Sequence, residues 1–106
     1  MPIVRLCNTV AANGADVWIW TGRSNAVREK TELWLRTWVP LFKPHNLRMR
    51  EDGDFRSDVS LKTEWWEDTL IEDRKRVTCV FEDRTSVVKM WREFGLMCCQ
   101  VAPGDF

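Results

Sequence analysis

The sequence predicts an α/β fold with a mainly parallel sheet of about four strands, and three observations carry that expectation. Short segments of strand character recur at residues 16–20, 46–50, 77–81 and 96–102, separated by stretches with helical spacing. Gly14, Pro40, Pro44 and Gly95 fall between these segments, where chain breakers belong. The apolar run at 77–81 stops at two carboxylates, Glu82 and Asp83, and open α/β sheets bind ligands outside the carboxyl ends of their strands.

The elements follow in order. Pro2 suits the first turn of a helix, and Ile3, Leu6, Cys7 and Val10 continue it at helical spacing until Gly14. Residues 16–20, Asp-Val-Trp-Ile-Trp, read as a strand, and Thr21-Gly22-Arg23 as the turn after it. A second helix over 24–38 has Val27, Thr31, Trp34 and Trp38 along one stripe, and Pro40 and Pro44 end it. Leu47 and Met49 alternate with Arg48 and Arg50, which predicts a short strand near 46–50. Residues 51–56 are polar and turn-rich. Ser57 is placed to cap a third helix over 58–72 carrying Val59, Lys62, Trp66 and Leu70. After the strand at 77–81, Thr85 is expected to cap a helix over 86–94 that Gly95 ends. Residues 96–102 read as a last buried strand, and Pro103-Gly104 as a terminating turn. Strands alternating with helices imply right-handed parallel crossovers.

The 106 residues suit one domain, and their apolar and charged content is that of a globular chain. A net charge of zero gives no broad electrostatic surface for nucleic acid and leaves only a local basic patch for that role. No apolar stretch is long enough to span a bilayer, and the expected location is the cytosol. Four cysteines without a C-x-x-C pair, beside one histidine, argue against zinc. Cys79 and Cys98 read as reduced core residues. The seven tryptophans read first as core and helix-packing residues, and second as stacking surfaces for bases or a partner.

Three groups fall at comparable positions in the predicted fold. Thr21-Gly22-Arg23 offers a hydroxyl, backbone amides and a guanidinium at the end of a strand, which together suit an oxyanion. Lys62 lies near a helix start, four residues after Asp58; taken alone this is a solvated i,i+4 pair. Glu82 and Asp83 either complement the dipole of the following helix or share a cation, for which magnesium suits hard oxygen ligands. Together the groups supply a phosphate receptor, a cation and a metal site, the requirements of phosphoryl transfer.

These residues resemble motifs two, three and four of the haloacid dehalogenase (HAD) superfamily of phosphatases. The closer resemblance is to the 3′-phosphatase domain of bacteriophage polynucleotide kinase/phosphatase. It rests on Thr-Gly-Arg at 21–23, Gly-Asp-x-Arg-x-Asp at 53–58 followed by Lys62, Glu-Asp-Arg-Thr-x-Val-Val-x-Met-Trp-Arg at 82–92, and Gln-Val-Ala-x-Gly-Asp-Phe at 100–106. The resemblance implies a HAD-like Rossmannoid three-layer sandwich, with the whole chain as the carboxyl-terminal portion of a single domain. It implies that Thr21 hydrogen-bonds the transferring phosphate, that Arg23 contacts phosphate or the nucleotide end, and that Arg50 and Arg56 line the substrate side. By the same likeness Asp58 orients basic groups, Lys62 neutralises phosphoryl charge, and Glu82 and Asp83 hold magnesium. The family pattern usually has Asp-Asp at the last position, so Glu82 departs from it, and its longer side chain either shifts the metal or leaves Asp83 as the sole direct ligand.

The family's Asp-x-Asp nucleophile motif is expected before the first helix, and no such motif after an apolar strand occurs upstream of Thr21. Asp52-Gly53-Asp54 lies in a polar loop and does not meet the context. The resemblance makes the missing strand the central one, so the expectation is a homo-oligomer or a complementary chain covering two bare strand edges. The functional expectation is a magnesium-dependent polynucleotide 3′-phosphatase-type domain, catalytically incomplete as this chain alone, acting on a polynucleotide 3′ end in the cytosol of a phage host. The alternative is a non-catalytic remnant that binds nucleic-acid ends or a protein.

Overall fold

A computed structural model describes residues 2–104. The element order is α1 (Pro2–Ala12), β1 (Ile19–Ser24), a 3-10 turn (Asn25–Val27), α2 (Arg28–Trp38), a second 3-10 turn (Pro44–Asn46), β2 (Leu47–Arg50), α3 (Asp58–Asp68), α4 (Ile71–Arg76), β3 (Val80–Glu82), α5 (Thr85–Glu93) and β4 (Cys98–Gln100). The α/β class and the parallel pairing are as expected. All four strands pair in parallel, as two separate ladders, β1 with β2 and β3 with β4. The chain divides into one unit that ends at Phe55 and another that begins at Arg56. Each ladder, with the helix that crosses between its strands, lies within one unit.

In the first unit, Leu35, Val39, Leu47 and Met49 form the core, with Val4, Cys7, Ile19 and Phe42 packed against it. The expected stripe on α2 is therefore wrong by one position. Leu35 is buried, whereas Trp34 and Trp38 are exposed. A helix buries one stripe, and the larger rings do not decide which. Trp18 is also exposed rather than a core residue, while Trp20 is half-buried under the Arg48 guanidinium, 6.0 Å from its ring. The strand begins later than residue 16, because Asp16 and Val17 are used to hold Asn46: its Nδ2 donates to Asp16 Oδ1 (2.7 Å) and to the Val17 carbonyl (3.2 Å).

In the second unit, Leu61, Trp65, Val87, Val88, Met90, Trp91 and Cys98 are buried. Trp91 packs edge-on against Trp66, with ring centroids 5.7 Å apart. Ser57 caps α3 as expected, its hydroxyl accepting the Ser60 N–H at 3.1 Å. The single helix expected over 58–72 is broken at Thr69, which is extended. Arg74 reaches back from α4 to the carbonyls of Glu67 (2.6 Å) and Thr69 (2.9 Å), satisfying groups the interruption frees. Thr85 is the first residue of α5 and not its cap; the cap is Arg84, whose side chain makes no capping bond. Gly95 ends α5 at φ +84°. The strands expected at 77–81 and 96–102 shrink to three residues each. Asp105 and Phe106, which contribute to the last resembling segment, lie outside the described residues. Among the described residues no helix is long and apolar enough to cross a membrane.

Candidate functional site

The second unit gathers charged side chains at the carboxyl end of β3. Taken alone, the spacing of Lys62 makes it a solvated partner of Asp58. Instead it is buried, and its Nζ lies 2.9 Å from Glu82 Oε2, with the two side chains 7% and 11% exposed. The helix causes this: Leu61, Lys62 and Trp65 share the buried face of α3, so the lysine stem runs through apolar surface toward the strand end. Asp58, one turn earlier, faces Arg84 with Oδ2 3.4 Å from Nε. Glu82 Oε1 accepts the backbone N–H groups of Asp83 (3.0 Å) and Arg84 (3.3 Å). Both oxygens of this carboxylate are thus engaged by the protein.

Asp83 stands apart. It is exposed, and its carboxylate meets no partner among the described residues. Its backbone is fixed, because Gln100 Nε2 donates to the Asp83 carbonyl and to Thr85 Oγ1, both at 3.0 Å. The Thr85 N–H in turn donates to the Gly104 carbonyl at 2.6 Å. A rigid backbone presenting one open carboxylate suits a hard cation. Magnesium needs only one or two protein carboxylates and otherwise keeps water or takes substrate oxygens. The donor set therefore fits a magnesium held through one direct protein ligand, and among the described residues no group of three acidic, cysteine or histidine side chains offers an all-protein cage. Arg56 pairs with Glu64 on the exposed side of α3.

In the first unit, Thr21-Gly22-Arg23 is not a turn after a strand. It is the end of β1 itself, and the ladder is irregular there, passing from Thr21 opposite Met49 to Ser24 opposite Arg50. Two residues bulge from the strand, and bulges re-aim side chains. Arg50 holds the bulge, its Nε donating to the Gly22 carbonyl (2.8 Å) and its Nη1 to the Asp54 carbonyl (3.1 Å). Arg50, which the resemblance implied lines the substrate side, thus makes internal bonds across the bulge. Thr21 Oγ1 accepts the Arg23 N–H at 3.2 Å, which leaves the hydroxyl proton available to donate. Arg23 is exposed, with no side-chain partner among the described residues.

Of the residues singled out from sequence, Thr21, Arg23 and Arg50 come together in the first unit, and Asp58, Lys62, Glu82 and Asp83 in the second, with Arg56 outside that group. Sequence reasoning missed Arg84, the partner of Asp58, and Gln100, which anchors Asp83. Arg84 stands directly after the acidic pair, so its position was a usable signal. Gln100 reaches Asp83 only through the β3–β4 register, in which Glu82 lies opposite Gln100.

A family described as the polynucleotide kinase PNKP phosphatase domain matches residues 1–106. A solved structure of the Pnkp1/Rnl/Hen1 RNA repair complex contains a similar chain at 34% identity and a TM-score of 0.83, over 100% of this chain and 33% of that one. A second structure of a Pnkp1/Rnl/Hen1 complex matches at 34% identity and a TM-score of 0.82, over 99% of this chain and 35% of that one. The chain spans about a third of the length of these similar chains. Helices joined by short parallel strands make its fold a HAD-like Rossmannoid one with few strands. The chain belongs to the phosphatase-domain family of polynucleotide kinase PNKP.

Proposed function

We propose that the chain is the carboxyl-terminal portion of a single phosphatase-type domain that recognises polynucleotide 3′-phosphates with magnesium and is catalytically incomplete alone. The observation that carries the reading is the asymmetry of the acidic pair. Glu82 is nearly enclosed and occupied by Lys62 and two amides, while Asp83 is open on an anchored backbone. In this reading Asp83 is the protein ligand of magnesium, and Arg84 is held by Asp58. Bound there, magnesium would neutralise phosphoryl-oxygen charge. Glu82 orients the Lys62 ammonium, which is the cation that faces a phosphoryl group. In the first unit, Thr21 donates its hydroxyl proton to a phosphate oxygen, and the free Arg23 guanidinium attracts the polynucleotide end. Arg50 acts as a positioning residue by fixing the bulge, and Arg56 supplies charge on the substrate side.

The sequence contains no Asp-x-Asp after an apolar strand, so no nucleophile is assigned to this chain. β1 and β3 each pair with one strand only, which leaves each an unpaired edge among the described residues. A second copy or a complementary chain that adds a strand is the partner these edges suit. The repair complexes named above assemble several proteins, which supports a multi-chain setting for this domain too.

The test measures binding of matched oligonucleotides ending in 3′-phosphate or 3′-hydroxyl, with and without magnesium, for the native chain, Asp83→Ala and Arg23→Ala. Expected are a preference for the 3′-phosphate that magnesium strengthens, loss of the magnesium effect in Asp83→Ala, loss of binding in Arg23→Ala, and no phosphate release. Equal binding of both ends would overturn the reading. Phosphate release by the native chain and not by Asp83→Ala would overturn the claim of incompleteness.

A further inference from the structure

Beyond the charged groups, the second unit carries a pair of thiols that phosphate recognition does not use. Cys79 directly precedes β3, and Cys99 lies in β4. The register sets Val80 opposite Cys98 and Phe81 opposite Cys99. Side chains alternate across a strand, so Cys98 turns into the core while Cys99 turns outward. Phe81 and Met97 share the outward face and are exposed, Met97 to 68%. On this face the Cys79 and Cys99 sulfurs stand 3.7 Å apart. All four cysteines are reduced, and of this pair Cys79 is half-buried and Cys99 exposed.

We infer that Cys79 and Cys99 are a reversible oxidation site that closes to an intrachain disulfide on reaction with a small-molecule disulfide of the glutathione class. The gap to be closed is roughly 1.7 Å beyond a sulfur–sulfur bond of about 2.05 Å, a distance for side-chain rotation on strands already paired. Exposure makes Cys99 the attacking group. Its thiolate displaces one thiol from the small disulfide and forms a mixed disulfide. The Cys79 thiolate then attacks the Cys99 sulfur and expels the second thiol. The protein dithiol loses two electrons and two protons, and the reagent gains both as two free thiols. Burial, and then the neighbouring Cys99, push the Cys79 thiol above its ordinary 9.0, so the closing step accelerates with alkaline pH. The product would tie β4 to the residue that precedes β3, the strand that leads to Glu82 and Asp83. This chemistry is independent of the phosphatase reading.

The test uses the reduced full chain incubated with glutathione disulfide, then acid quench, intact mass and tryptic mapping without reductant. Expected is loss of two of the four thiols, a mass lower by two hydrogen atoms, and a link between the peptides spanning 77–84 and 93–106. Cys79→Ser and Cys99→Ser each abolish the link, and Cys98→Ala keeps it. Fragmentation between residues 98 and 99 of the native linked peptide decides the bonded sulfur even when Cys98→Ala does not fold. A link made through Cys98, glutathione adducts accumulating without a link, or bonds between separate chains would each overturn the inference.

Discussion

Removing the Lys62 ammonium is expected to destabilise the protein far more than a surface ion pair would. Methionine at 62 keeps an apolar stem of similar length and deletes the charge. In the native chain the ion pair closes at 2.9 Å with both side chains nearly enclosed. Breaking a pair so buried costs about 3–5 kcal/mol, because the remaining charge is stranded away from water. Here Glu82 keeps the Asp83 and Arg84 amides on its other oxygen, so two of its three donors survive. The expected loss for Lys62→Met is therefore near the low end, about 3 kcal/mol. That is roughly 150-fold in the folding equilibrium. With a urea slope of about 2 kcal/mol per molar, the unfolding midpoint falls by about 1.5 M. Seven tryptophans, one of them Trp65 on the same buried helix face, supply the fluorescence signal. The double variant Lys62→Met/Glu82→Gln removes the stranded charge while retaining an oxygen for the two amides, and should recover most of the loss. A single-variant loss below about 1 kcal/mol is what a solvent-screened surface pair gives. That result, or a double variant no better than the single one, would refute the argument from enclosure.

Leu61→Ala, at a side chain 1% exposed, should cost about 2–5 kcal/mol by chemical denaturation. Gly95→Ala should cost about 1–2 kcal/mol through backbone strain alone, since φ is +84° and nothing lies within 4 Å of an added Cβ. The pH dependence of stability should show a loss above pH 9. Burial raises the Cys7, Cys79 and Cys98 thiols above their ordinary 9.0. A raised folded-state value contributes stability that is whole below the unfolded value and is lost as pH rises through the folded one. The chain has no tyrosine to blur that limb, and urea melts between pH 7 and 11 check it.

Much of the fold was readable because local rules and tertiary packing agree. Pro2 opens α1, Ser57 caps α3, and Gly95 stops α5, each at a position where the backbone leaves few alternatives. The tryptophans on α2 misled, since ring size does not reveal which helical stripe faces the core. Strand lengths misled as well. The apolar run at 77–81 looked complete in itself, but pairing with β4 starts only at Val80 and extends to Glu82. For the site, the acidic pair and Lys62 were legible as chemistry-bearing residues, while their division of labour was not. Spacing pointed Lys62 at Asp58 on its own helix. The partner it finds is twenty residues away on β3, and no periodicity encodes that contact. The Thr-Gly-Arg bulge was likewise hidden, because it depends on Arg50 of the neighbouring strand grasping the Gly22 carbonyl.

Each parallel ladder has its crossover helix inside its own half of the chain, and no strand pairing among the described residues spans the Phe55–Arg56 peptide bond. Phe55 is 94% exposed, which makes this bond accessible to a chymotryptic protease. A nick there would sever the polypeptide without cutting a ladder. The gene could on the same grounds be divided at that codon, and each product would carry a whole strand–helix–strand crossover of its own.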